Sequence, residues 1–343
     1  MSVADAPRAL RAPASRRALG LLLVVAALAL IVLLSISLGA RPIPLGRVWG
    51  LVWHPDNSDD ALIVHDLRIP RTILGLLVGS ALGVAGALMQ AMTRNPLADP
   101  GLLGVNAGAA AAVVTATAVL GTTEPLAYIW FGFLGAAAAS VVVYGIGATG
   151  HSGATPVRLA LAGTAVTFAL IAYVQGIILA DREALDQYRF WQVGGLAGHP
   201  ASLNWQIAPF IAAGLVLALS LGRPLNAVAL GDDTSRALGA KPGRTRALGA
   251  VAITLLCGAA TAAAGPIVFI GLTVPHVARA ITGPDQRWVL PYSALLAPVL
   301  VLGADVIGRL VNRPGELEVG IVSALLGAPV FIAIVRRRRI AQL

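Results

Sequence analysis

The side chains that could do chemistry in this sequence are few, and most stand alone inside apolar segments. Asp305 lies four residues before Arg309, a spacing at which a helix brings the two side chains together as an ion pair. An acid inside such a segment is also a candidate for a proton relay. His276 has no second His, Cys or carboxylate near it, so we expect a structural role and no metal site. The single cysteine, Cys257, offers neither a disulfide nor a metal site.

The lysine content excludes one kind of nucleotide chemistry. A phosphate-binding P-loop requires Gly-Lys followed by Ser or Thr. The one lysine of the chain, Lys241, lies between Ala240 and Pro242. The acids and histidines also form no relay through several apolar segments, which an ion-coupled carrier usually needs. Work driven by ATP would therefore need an ATPase on another polypeptide, and the sequence predicts no cofactor.

The elements that position these residues are apolar segments of roughly twenty residues. Hydrophobic residues make up 57% of the 343 residues and charged residues 12%. A segment such as 18–38 is long enough, as a helix rising about 1.5 Å per residue, to cross a ~30 Å hydrocarbon layer. Its backbone must bond within the segment there, which requires a helix. The sequence therefore predicts an all-α polytopic membrane protein.

We predict about ten transmembrane helices within one transmembrane domain, residues 18–335. A basic N-terminal tail, residues 1–17, precedes this domain, and a basic C-terminal tail, residues 336–343, follows it. The predicted spans cover residues 18–38, 73–92, 101–120, 126–148, 159–180, 203–221, 247–264, 267–281, 289–307 and 319–335.

Charge between the spans predicts their orientation. With ten spans, 17 of the 25 Lys and Arg residues fall on the side that carries both termini. The 16 acids divide the other way, 5 against 11. Positive residues favour the cytoplasm, so both termini are predicted to be cytoplasmic. The same rule explains the net charge of +9 better than nucleic-acid binding does.

Small residues recur along the second span, where Gly75, Gly79 and Gly83 are followed by Gly86. Such a stripe lets another helix approach closely. The partner helix belongs either to this chain or to a second subunit, and the sequence leaves both open.

The longest polar segment on the predicted cytoplasmic side is residues 223–246. Asp232, Asp233 and Thr234 are candidates for the N-cap of a short helix, and Gly239 is a stop signal after it. A short capped helix suits docking into a groove on a partner. An ordinary connecting loop is the alternative.

Four segments resemble one known family. Residues 68–104 (RIPRTILGLLVGSALGVAGALMQAMTRNPLADPGLLG), 223–239, 264–291 and 315–335 are similar to the FecCD-like permeases of iron-siderophore and vitamin B12 ABC importers. The similarity covers residues 68–336 in the right order and spacing. It implies the type II ABC importer permease fold, in which two permease subunits enclose a path along their interface. ATP-binding-cassette ATPase subunits lie beneath, and an external substrate-binding protein delivers the substrate from above.

The resemblance also assigns roles to single residues. The loop between spans six and seven would form the ATPase-coupling helix, with Gly231, Asp232, Asp233, Ser235, Arg236 and Leu238. Outer arginines would dock the binding protein, and here these are Arg68, Arg71 and Arg309. The inner gate of the path would lie at Asn95, Pro96 and Leu97. One departure is Glu318, which stands where the family commonly has proline before the last span.

The expected function is that of a permease subunit in the cytoplasmic (inner) membrane, not of an enzyme. It would carry an iron(III)-siderophore, or cobalamin or haem, powered by ATPase subunits on separate chains. Its partners would be those subunits, the binding protein, an identical or different second permease, and the lipid bilayer. An ion-gradient-driven secondary transporter is the main alternative, and a membrane-embedded enzyme is a weaker one.

Overall fold

The computed structural model describes residues 14–121, 125–149 and 155–336. Over these ranges the chain is helical and contains no β-strand, which confirms the all-α prediction. The helices are α1 (Ala14–Ser37), α2 (Leu45–Trp53), α3 (Asp59–Leu62), α4 (Ile69–Thr93), α5 (Val105–Leu120), α6 (Pro125–Ala148), α7 (Pro156–Ala180), α8 (Arg182–Val193), α9 (Ser202–Ser220), α10 (Gly222–Ala229), α11 (Asp232–Ala237), α12 (Pro242–Ala264), α13 (Ile270–Thr282), α14 (Gln286–Val311) and α15 (Val319–Arg336).

Each predicted span corresponds to a helix, but the count of ten is approximate. Among the described residues, seven helices are long and apolar enough to cross a membrane. They are α1, α6, α7, α9, α12, α14 and the continuous helix of residues Asp59–Thr93, whose last part is α4. The helix α5 has 16 residues and α13 has 13, fewer than the ~20 that a full span needs. Of the predicted tails, residues 1–13 and 337–343 lie outside the described ranges.

The segment before α13 explains why that helix is short. Gly265 and Phe269 both adopt left-handed backbone angles, with φ of 68° and 69°. Pro266 has no N–H to donate. The loop after α8 packs beside this break, where the Gly195 N–H donates to the Ala264 carbonyl at 2.8 Å. The predicted eighth span therefore begins as irregular backbone and becomes helical only at Ile270.

The helix α4 lies at the centre of the core, where nearly every residue from Val78 to Met92 is buried. Its glycine stripe faces α14 and α13 of the same chain. A Cβ placed on Gly79 would lie 2.6 Å from Pro298 Cα, and one on Gly83 would lie 2.5 Å from the Ser293 carbonyl oxygen. The stripe therefore serves packing within the chain.

Other helices expose their apolar side chains. On α7, for example, Leu161, Phe168 and Leu179 are exposed. Hydrophobic surface of this kind suits a helix that contacts lipid or another transmembrane helix.

Replacing Gly79 with alanine should damage the fold, because the added methyl group meets the α14 backbone. Overpacking of this kind costs about 1–3 kcal/mol. The same change at Gly303, where a Cβ would meet no atom within 4 Å, should leave stability unchanged or improve it. Thermal unfolding of the two variants in detergent checks this expectation. Equal melting temperatures would show that α4 and α14 can separate without penalty.

Candidate functional site

A buried ionic cluster lies where α4 begins and α14 ends. Asp305 is fully buried, and its Oδ1 accepts hydrogen bonds from Arg71 Nε at 3.0 Å and Nη2 at 2.7 Å. Arg309 Nη2 lies 2.8 Å from Asp305 Oδ2, so the ion-pair interpretation of Asp305 is confirmed. Arg71 Nη1 also donates to Glu316 Oε2 at 2.5 Å. We call Arg71, Asp305, Arg309 and Glu316 the Asp305 cluster.

Arg309 of this cluster and the neighbouring Arg68 both bond to the end of α1. Arg309 Nη1 donates to the Ser35 and Leu38 carbonyls, both at 2.9 Å. Arg68 donates to the Ser37 carbonyl at 2.8 Å and to the Arg41 carbonyl at 2.7 Å. The last carbonyls of a helix lack partners within the helix and carry partial negative charge. The arginines therefore supply both the hydrogen bonds and the charge that this helix end needs.

The three arginines predicted to dock a binding protein are thus brought together, but their donors are engaged inside the subunit. Only 4% of Arg68 and 2% of Arg309 is exposed. The three residues line one side of a 740 Å³ cavity, with His199 and Glu316 among its other walls. Their docking role stays a prediction. No sequence pattern predicts the bonds of Arg68 and Arg309 to α1.

A second ionic cluster lies at the opposite end of α4. Arg246 binds Asp232 through two hydrogen bonds, of 2.8 and 2.7 Å. Arg94, which ends α4 in a left-handed conformation with φ of 51°, lies 3.6 Å from the same carboxylate. The bonds from Arg246 hold the pKa of Asp232 below its usual range. We call Arg94, Asp232 and Arg246 the Asp232 clamp.

The predicted short helix exists as α11, but its predicted cap is wrong. Its N-cap is Gly231, with φ of 99°, and no side chain caps it. The Asp232 carboxylate turns back to Arg246 instead of to the start of α11. The stop signal is confirmed, since Gly239 follows with φ of 80° and its N–H donates to the Arg236 carbonyl at 2.9 Å.

The residues predicted for coupling separate into two sets. Ser235 is fully buried, and its Oγ donates to the Asp232 carbonyl at 2.9 Å. The side chains of Asp233, Arg236 and Leu238 are exposed. Ser235 therefore contacts the interior of the subunit, while the side chains of Asp233, Arg236 and Leu238 lie at the surface.

The predicted gate follows Arg94 directly. In this turn, Asn95 Oδ1 accepts a hydrogen bond from the Leu97 N–H at 3.0 Å. His276 Nε2 lies 3.0 Å from the Pro96 carbonyl, so the histidine joins the turn to α13. Among the described residues, no group of three or more His, Cys, Asp and Glu could hold a metal ion.

Gln90 adds a further link between α4 and α13. Its Nε2 donates to the Leu272 carbonyl at 3.2 Å, and its Oε1 accepts from the buried Arg279. Sequence reasoning missed this contact, because neither residue carries a motif. The gate turn and the end of α4 therefore both contact α13, through Pro96 and Gln90 respectively.

The fold is that of a multi-pass, all-helical membrane protein with charged residues at both ends of its core. The sequence matches the FecCD transport family over residues 27–337, and the chain belongs to that family. It is 48% identical over 306 residues to the ferric enterobactin transport system permease protein FepD of Escherichia coli (strain K12), covering 89% of this chain and 91% of that protein. It is also 43% identical over 312 residues to the Fe(3+)-citrate import system permease protein YfmD of Bacillus subtilis (strain 168), covering 89% and 91%.

The architecture matches a solved structure of a metal-chelate type ABC transporter in an inward-facing conformation. The TM-score is 0.82, with 23% sequence identity, covering 93% of this chain and 99% of that chain. The prediction of a type II ABC importer permease fold is therefore confirmed.

Replacing Arg309 with methionine should destabilise the protein by about 3 kcal/mol, because it leaves buried carbonyls and a carboxylate short of a donor. Arg182, exposed at the start of α8, is the matched control and should tolerate the same change. Thermal unfolding in detergent measures both. A fully stable Arg309→Met variant would contradict the capping role of this arginine.

Proposed function

We propose that this chain is the permease subunit of an ATP-binding-cassette importer that carries a ferric chelate, with an iron(III)-siderophore preferred over cobalamin or haem. The observation that carries the proposal is the family match over residues 27–337 together with 48% identity to a permease named for ferric enterobactin transport. We place the subunit in the cytoplasmic (inner) membrane with both termini cytoplasmic. Residues 18–335 would form its single transmembrane domain between two basic tails.

The energy source in this proposal is ATP hydrolysis on separate ATPase subunits. The exposed face of α11, with Asp233, Arg236 and Leu238, is the surface that we assign to contact with them. Gly231 gives the chain the left-handed turn that presents this helix. An external binding protein would dock at the opposite end, near Arg68, Arg71 and Arg309. A second permease, identical or not, would complete the path.

The Asp232 clamp offers a way to transmit motion from α11 to the gate. The carboxylate of Asp232 belongs to α11, while its partners end α4 and begin α12. Asn95, Pro96 and Leu97 follow Arg94 in the chain, so a shift of α11 would pull on the gate turn. His276 would pass the movement on to α13. Asp232 and Ser235 are thus proposed to transmit force within the subunit, while the exposed residues contact the ATPase.

Uptake into proteoliposomes tests the function. The permease assembled with its ATPase and binding protein should accumulate a ferric siderophore only when ATP is supplied. Accumulation should persist when an uncoupler collapses ion gradients while ATP is held constant. The permease alone should accumulate nothing. Accumulation by the chain alone, driven by an ion gradient, would support a secondary transporter and overturn the proposal.

The variant Asp232→Asn tests the clamp. An amide cannot hold two guanidinium groups as a carboxylate does, so we expect uptake to fall by about tenfold while the ATPase still co-purifies with the membrane subunits. Asp186→Asn is the control, since Asp186 is an exposed acid that lies 3.7 Å from Arg189 on α8.

Two results would count against the clamp. Undiminished uptake by Asp232→Asn would show that the ion pairs do not transmit force. Loss of the ATPase from the purified complex would show that Asp232 acts in docking instead.

A further inference from the structure

A cavity of 220 Å³ lies between α8, the loop that follows it and the start of α15. Its walls include Gln187, Trp191, Gly195, His199, Gly265 and Glu318. It shares His199 with the 740 Å³ cavity beside the Asp305 cluster. It shares Trp191 with a 450 Å³ cavity lined by Asn106, Thr167 and Pro266. The small cavity is therefore flanked by two larger ones.

Three residues that line this cavity each have a buried polar atom without a partner. Trp191 Nε1, His199 Nδ1 and Glu318 Oε2 have no hydrogen-bond partner among the described residues. Buried polar atoms are nearly always paired, because an unpaired one loses its water without compensation. An indole donor, an imidazole nitrogen and a carboxylate oxygen without partners in the walls of one cavity indicate that a further group completes them.

The nearby Arg71 forms its ion pairs with Asp305 and Glu316 and none with Glu318. Burial raises the pKa of Glu318, the charge of Arg71 lowers it, and the charges of Glu316 and Asp305 raise it again. Ionising Glu318 in this site therefore costs free energy, and a positively charged partner would reduce that cost.

The backbone around Glu318 is shaped to admit its side chain. The Glu318 carboxylate lies against Gly195, in the space that a Cβ at this position would take. The Glu318 carbonyl accepts from the Ile321 N–H at 3.1 Å, which fixes the residue at the start of α15. His199 lines the same cavity, and burial lowers the pKa of its imidazole ring, which favours the neutral form. The open donor and acceptor are therefore presented by ordered backbone.

We propose that this cavity binds a protonated amine of the transported solute, with Glu318 accepting from the ammonium group and the Trp191 indole N–H donating to a neighbouring oxygen. The inference rests on the proposed function and adds a preference among its substrates. A short alkylammonium arm fits the 220 Å³ volume, while the bulk of a chelate would occupy a flanking cavity. Glu318 and Trp191 would then select among ferric chelates by charge.

Two probes that differ only in this charge test the inference. One is a ferric trihydroxamate with a free primary amine, and the other is the same chelate with that amine acetylated. Binding of each to the permease–ATPase complex in nanodiscs is measured without the binding protein. We expect the wild type to bind the amine about tenfold more tightly, and Glu318→Gln to bind both equally.

Three further variants and readouts sharpen the test. Glu183→Gln, an exposed acid on α8, is the matched control and should keep the preference. Trp191→Phe, which removes the N–H and keeps an aromatic ring, should weaken both chelates equally. Unliganded Glu318→Gln should melt at least as high as the wild type, because it removes an uncompensated charge.

The outcomes separate the two proposals. A wild type without preference, or a preference that survives Glu318→Gln, overturns the amine site. ATP-driven uptake of both chelates with no preference would overturn the inference and leave the proposed function standing. Absence of ATP-driven uptake of any ferric chelate would overturn the proposed function, and the nanodisc binding alone would then decide the amine site.

Discussion

The close approach of α4 to α13 and α14 is the contact on which the rest of the structure depends. Glycines at positions 75, 79, 83 and 86 remove the side chains that would hold these backbones apart. In hydrocarbon, helices gain little from the hydrophobic effect and associate through such packing and through polar contacts. With α4 fixed between its neighbours, both of its ends are fixed as well. One end carries Arg71 and the other Arg94.

Charged residues cluster at these two ends of α4, and the two clusters differ in how deeply they are buried. In the Asp305 cluster, Asp305 and Arg309 are buried, and the cluster joins α1, α4 and α14 through hydrogen bonds. The Asp232 clamp is partly exposed and relies on two arginines from separate helices. A helix of 25 residues, roughly 37 Å long, separates them. The ionic contacts are therefore mostly buried at one end of α4 and partly open to solvent at the other.

Hydropathy predicted the helices well, because a bilayer forces every apolar run into the same conformation. The prediction of 126–148, for instance, lies within a residue of α6 (Pro125–Ala148). Hydropathy could not predict which side chains bond to one another. Asp232 was expected to cap its own helix, yet its main partner lies fourteen residues later, on another helix. Arg309 bonds to the carbonyl of Ser35, which lies 274 residues earlier. A local sequence pattern cannot predict a contact over so large a separation in the chain. The bonds of Asp232 and Arg309 are therefore set by tertiary contacts, which only the structure shows.

The irregular backbone between Gly265 and Phe269 has a consequence for hydration within the bilayer. Non-helical peptide groups survive at bilayer depth only beside protein or water. Here Pro266 and Val268 border the 450 Å³ cavity. Water in that cavity would hydrate these peptide groups inside a layer that otherwise offers them few hydrogen-bond partners.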